Sequence, residues 1–140
     1  MKKLKHFLSD PAEWITKSEF VDRFGNITTA IGESKIETDG SEITNEVWTC
    51  IDGKRVRRYY TISVINDSFF TYKADNEQLG NETGVFSVLK NMLFSHFIVP
   101  DTKLSGFEVF LSDEDECSSY GSLFEGSELI HSWRTILVKI

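Results

Sequence analysis

From about Phe20 to the end of the chain, apolar and polar residues alternate with a period of two, and turn signals cut the alternation at short intervals. Asp39-Gly40 and Asp52-Gly53 each sit between β-rich runs, as does Asn66-Asp67. A two-residue polar or glycine step between alternating runs is the strongest short-range hairpin signal in a sequence. The runs 27–38, 42–51, 54–65 and 68–74 are consecutive, similar in length and joined by tight turns. They predict an antiparallel meander, since strands alternating with helices would space the turns differently.

A looser segment, ADNEQLGNETG (74–84), follows. Residues 85–99, VFSVLKNMLFSHFIV, read two ways. Val85, Val88, Leu89, Met92 and Leu93 have helical spacing, but the same residues also split into two strands around Lys90-Asn91. The β flanks favour the strands. Runs at 105–111, 119–124 and 128–140 complete the meander, linked by SDEDE (112–116) and EGS (125–127). At the start, Asp10 is a good helix N-cap, Pro11 suits the first helical position and Glu13 stands three residues after the cap. A short N-terminal helix is therefore expected, with Trp14 and Ile15 packing it onto the strands.

Eight to ten meandering strands in one domain spanning 1–140 predict an all-β, up-and-down antiparallel barrel. This layout resembles the calycin group: lipocalins, fatty-acid-binding proteins and their bacterial lipocalin-like relatives. The resemblance covers nearly the whole chain and rests on architecture. Lipocalins carry Gly-x-Trp on the first strand, and Trp14 has no glycine at that spacing. Fatty-acid-binding proteins carry Arg-x-Tyr in their last strands. Here HSWRTILVKI has Arg134 with Ile136 in the tyrosine's place, while Arg58-x-Tyr60 stands in mid-chain.

Side chains alternate across a strand, so parity sorts the stretch RRYYTISV (57–64). Val56, Arg58, Tyr60, Ile62 and Val64 form the more apolar face and should point inward; Arg57 and Tyr59 should point outward. A buried guanidinium keeps its proton and needs an acid, water or an anionic ligand. By apolar count the inward face of the last strand is Ile130, Ser132, Arg134, Ile136, Val138 and Ile140. Arg58, Tyr60 and Arg134 are thus the candidate ligand-binding residues, suited together to a carboxylate or phosphate head group. Both arginines have a structural alternative: Arg58 paired with a strand glutamate or reaching the rim, and Arg134 packed on Trp14, as an arginine near the chain end often does in lipocalin-like barrels.

The composition supports this picture. Aromatic residues make up 13 % of the chain, which favours strands or a roomy aromatic interior over disorder. A net charge of −7 makes nucleic acid and anionic membranes poor default partners. No apolar run is long enough to span a membrane, and none follows the basic start as a signal peptide would require. A cytoplasmic location is expected, with Cys50 and Cys117 as reduced thiols rather than a disulfide. DEDE (113–116) lacks the ligand spacing of a calcium loop, and His6, His96 and His131 are too scattered for zinc. Nitrobindin-like barrels resemble this architecture and bind haem through a late histidine. Only the position of His131 is similar here, and a lone strand histidine is more often packed or exposed, so no cofactor is expected.

The favoured function is a barrel that binds a small hydrophobic or amphipathic molecule with an anionic group in its interior. Two alternatives stand beside it. One is a filled barrel acting as a partner-binding module, a homodimer included. The other is an enzyme on the same fold, such as a chromophore lyase or isomerase, for which no acid–base pair or catalytic residue stands out.

Overall fold

The computed structural model describes residues 4–140. Ten strands follow one another: β1 (Ala12–Asp22), β2 (Ile27–Asp39), β3 (Glu42–Ile51), β4 (Lys54–Asn66), β5 (Phe69–Asn76), β6 (Gly80–Leu89), β7 (Met92–Ile98), β8 (Leu104–Asp113), β9 (Glu116–Glu125) and β10 (Glu128–Lys139). Each pairs antiparallel with its neighbours in sequence, and β1 closes the barrel against β10. The predicted hairpins fall where the turn residues stand. Asp52 and Gly53 both take positive φ, 50° and 77°, between Ile51 and Lys54, as a two-residue loop between twisted strands requires. Residues 85–99 are two strands, with Lys90 at φ 57° between them.

The expected N-terminal helix is absent, and β1 occupies the stretch that would have held most of it. Asp10 pairs with Lys5 at 2.9 Å instead of capping a helix. Trp14, Thr16, Ser18 and Phe20 alternate inward, and their strand covers the edges that β2 and β10 would otherwise expose. The residues before β1 form a plug. Phe7 and Leu8 are buried, and Phe7 stacks on Phe110 with ring centroids 4.6 Å apart while touching Trp14 at 5.7 Å. The near-fully enclosed Ile36, Leu93 and Cys117 lie towards this plugged end. The other end, between the β1–β2, β3–β4, β5–β6, β7–β8 and β9–β10 turns, is lined by partly exposed side chains such as Phe20, Ile51 and His131.

Three inward glycines make room for aromatic rings from the neighbouring strand. A Cβ on Gly84 would meet the Tyr72 ring at 2.4 Å, one on Gly106 the Phe97 ring at 2.5 Å, and one on Gly121 the Trp133 ring at 2.3 Å. The rings therefore lie flat along the inner wall and leave the barrel axis open.

Candidate functional site: the barrel interior

The barrel encloses a cavity of about 300 Å³, running from Phe7 and Leu8 at the plug to Phe20, Ile51, Gln78 and His131 at the opposite end. Its wall is mixed. Tyr72, Phe86, Phe97, Phe110 and Leu123 supply apolar surface, and a belt of polar side chains crosses the middle.

Arg58 and Tyr60 both line the cavity from β4, as strand parity requires. Arg58 Nη1 donates to Tyr60 Oη at 3.3 Å. That is the only hydrogen bond Arg58's side chain makes among the described residues, and no carboxylate lies within ion-pair distance of it. Its pKa is raised, by Tyr60 first and then by Glu108 and Glu82, against the desolvation that lowers it. Arg58 is a permanent cation here. Burial pushes the Tyr60 and Tyr72 phenols well above their ordinary range, so both are neutral donors; Tyr72 Oη shares a 3.0 Å hydrogen bond with Ser95.

Two glutamates complete the belt. Glu82, on β6, is 3 % exposed and accepts a hydrogen bond from Asn76 Nδ2 at 2.9 Å. Asn76 is itself fixed because its Oδ1 accepts the backbone N–H groups of Gln78 and Leu79 in the β5–β6 turn. Glu108, on β8, accepts on one oxygen, Oε2, from both the Ser119 hydroxyl and Trp133 Nε1, the latter at 2.9 Å. Desolvation raises both carboxyl pKa values, opposed by these hydrogen bonds and by Arg58. Trp14 Nε1 is the only side-chain polar atom among the described residues that is both enclosed and unpaired. The free edges of Arg58 and Glu108 are therefore open to the cavity.

Arg134 does not join this group. It is exposed on the outer face of β10, between Tyr120 of β9 and Glu19 of β1 in the register. After a bulge between Leu129 and His131 the strand alternates regularly, and His131, Trp133, Thr135 and Leu137 point inward. Nor does Arg134 pack on Trp14. Lys139, directly opposite Trp14, lies 5.3 Å above its ring. The expected pair of interior arginines is thus one arginine with two glutamates. Sequence alternation does not reveal Glu82, because 74–84 has the composition of a loop. Nor does it reveal Glu108, whose strand alternates Gly106, Glu108 and Phe110 with the more apolar Phe107, Val109 and Leu111, of which Phe107 and Leu111 are exposed.

Arg57 and Tyr59 face outward as expected. Arg57 pairs with Glu46 at 2.7 Å and lies 4.9 Å from the Tyr59 ring, while Arg55 stacks 4.1 Å over Trp48. His131 lines the cavity at its unplugged end, packed edge-on against Phe20 at 5.3 Å, and desolvation lowers its pKa. Cys50 and Cys117 are free thiols. Among the described residues no group of three His, Cys, Asp or Glu is placed to hold a metal ion, and no helix is long and apolar enough to cross a membrane.

A scan against protein-family models found no match, and a search of the curated proteins found none. Solved structures do match. Rv2717c from M. tuberculosis aligns over 92 % of this chain and 91 % of its own, at 14 % identity and a TM-score of 0.75. The two chains share the fold. The structure of EF1p2_mFAP2b bound to DFHBI aligns over 93 % of each chain at 12 % identity, with a TM-score of only 0.42.

Proposed function

We propose that this chain is a calycin-like carrier that holds one small amphipathic molecule inside the barrel, with the polar end at Arg58 and Tyr60. The observation that carries the reading is a cation facing a cavity without a carboxylate in contact. An unpaired interior cation is costly unless water or a ligand completes its hydrogen bonds. Apolar surface for the rest of the molecule comes from Tyr72, Phe86, Phe97 and Leu123. The anionic end expected from two arginines has weaker support, because Glu82 and Glu108 share the site with a single arginine. Free thiols at Cys50 and Cys117 favour a cytoplasmic setting for this carrier.

Native mass spectrometry of the purified protein against its denatured mass tests the proposal. A bound mass of small-molecule size, lost in Arg58→Ala and retained in Arg57→Ala, is the expected result. A clean apo mass in wild type, together with no uptake of an apolar dye such as Nile red, overturns it.

One observation favours a second reading. Phe94, Val109 and Tyr120 stand side by side across β7, β8 and β9 on the outer face, beside Phe107 stacked on Phe124. Such a patch suits self-association through these strands. Sedimentation of wild type and Phe107→Ser decides it: a dimer that the substitution dissociates supports this reading, and a wild-type monomer at high concentration ends it.

A further inference from the structure

The arrangement around Glu108 specifies what kind of polar end the cavity accepts; this inference rests on the binding proposal above. Trp133 Nε1 and the Ser119 hydroxyl both donate to Glu108 Oε2. An indole N–H donates and never accepts, so this oxygen is committed to the wall. Oε1 takes no hydrogen bond from the described residues, and in the ionised carboxylate it is an open acceptor. Arg58, on β4, faces the same cavity with all but one of its N–H donors unused. The two groups sense each other electrostatically but lie too far apart for an ion pair. Something between them must therefore accept from Arg58 and donate to Glu108.

We infer that the barrel selects a neutral head group that presents an acceptor and a donor side by side, as a primary carboxamide does, over a carboxylate. A carboxylate satisfies Arg58 but places a second negative charge against ionised Glu108, with Glu82 lining the same cavity. An ester satisfies Arg58 and leaves Glu108 unmet. A carboxamide meets both, its C=O towards Arg58 and its N–H₂ towards Glu108. Leaving a buried acceptor without its donor is the usual source of strong discrimination between ligands of equal size.

The same geometry implies a reversal. In Glu108→Gln, Trp133 still demands an acceptor, which holds the carbonyl of the substituted side chain against the wall and turns its amide N–H₂ towards the cavity. The site then presents donors from both sides and suits a carboxylate.

Three probes with one apolar body, octanamide, octanoate and methyl octanoate, separate the cases by calorimetric titration at pH 8 into wild type and Glu108→Gln. The expected result is octanamide ahead of octanoate by about tenfold in wild type, with the order reversed in Glu108→Gln. Thermal unfolding of the variant confirms that it is folded. If octanoate binds wild type as tightly as octanamide, or the order is unchanged in Glu108→Gln, the head-group inference fails while the carrier proposal stands. If all three probes bind equally, the head group is not read and the inference also fails. If none binds wild type, the carrier proposal fails and takes the inference with it. Should Glu108→Gln not fold, N,N-dimethyloctanamide titrated into wild type provides the second test. It keeps the acceptor for Arg58 and has no N–H for Glu108, so it is expected to bind more weakly than octanamide by about tenfold; equal affinity overturns the inference.

Discussion

Trp133 on β10 reaches Glu108 on β8 across the strand between them, and the three residues Glu108, Gly121 and Trp133 form one register row. The indole crosses β9 at the only position in the row without a side chain, and its N–H lands 2.9 Å from the carboxylate. Gly121 is thus a requirement of the polar belt as much as of the strand.

Gly121→Ala is accordingly expected to displace the Trp133 ring and break its bond to Glu108. Overpacking and the loss of a hydrogen bond to a charged group together should cost at least about 2 kcal/mol. Urea unfolding measures the cost, and a change under about 0.5 kcal/mol, the level of an ordinary surface substitution, contradicts this account of the glycine.

Stability should fall as pH rises through the pKa values of Glu82 and Glu108. Both are raised above the ordinary 4.5, chiefly by desolvation. The folded state therefore holds these protons more tightly than the unfolded chain, which makes their contribution greatest below the unfolded pKa and lost above the folded one. His131 acts in the opposite sense, since its pKa is lowered and protonation below its ordinary 6.5 opposes folding. Subtracting the pH–stability profile of Glu82→Gln/Glu108→Gln from that of wild type isolates the carboxyl contribution. A difference profile that rises with pH refutes the sign.

Phe7→Ala should be among the most destabilising substitutions outside the strands. It removes a stacked ring from the plug and leaves a void against Phe110 and Trp14, which for a buried phenylalanine costs about 3–5 kcal/mol. Calorimetry of the variant checks the value; a cost below about 1 kcal/mol, the centre of the range for point substitutions in general, means that the plug is not part of the core.

Arg134→Ala should change stability by less than about 0.5 kcal/mol, as for an exposed surface residue, and leave ligand uptake as in wild type. Loss of the bound molecule in this variant, measured by native mass, is incompatible with the outward facing of Arg134.

The two thiols should differ in reactivity. Cys117 is 1 % exposed and burial pushes its pKa up to about 11, while Cys50 is half-buried on the outer face of β3. Labelling with a thiol reagent is expected to consume Cys50 first and Cys117 only at the rate of unfolding. Equal rates at low denaturant contradict it.

Hairpin positions were readable because turn chemistry is local: a positive φ at Asp52-Gly53 is demanded by residues adjacent in sequence. Facing was readable on β4, where the inward set Val56, Tyr60, Ile62 and Val64 outweighs Arg58. It was not readable by apolar count on β8 and β10. There the inner wall needs glycine beneath rings and polar groups around a cavity, while Phe107, Leu111 and Val138 stay exposed outside. A rule that sends the apolar face inward assumes a filled core, and it inverts where the interior is hollow and polar. Glu82 and Glu108 could have been found by asking which acids share a strand with interior glycines and aromatics. Asp10-Pro11 satisfies capping rules whether or not a helix follows, and here the pairing of β1 with β2 and β10 outweighs that local signal.

The pairing of β1 with β10, which includes a 2.8 Å hydrogen bond between Ser18 and Thr135, has a consequence for how the chain reaches its native state. Nine of the ten strand pairs join neighbours in sequence and can form as successive hairpins, whereas this one joins segments separated by almost the whole chain. The entropy of closing that loop sets it last. Until it forms, the molecule is a curled sheet with two unpaired edges, β1 and β10, each a template for a second chain. Refolding yield should therefore depend on concentration through this single seam, and a substitution such as Thr135→Pro on β10 should reduce yield far more than the same change in a turn.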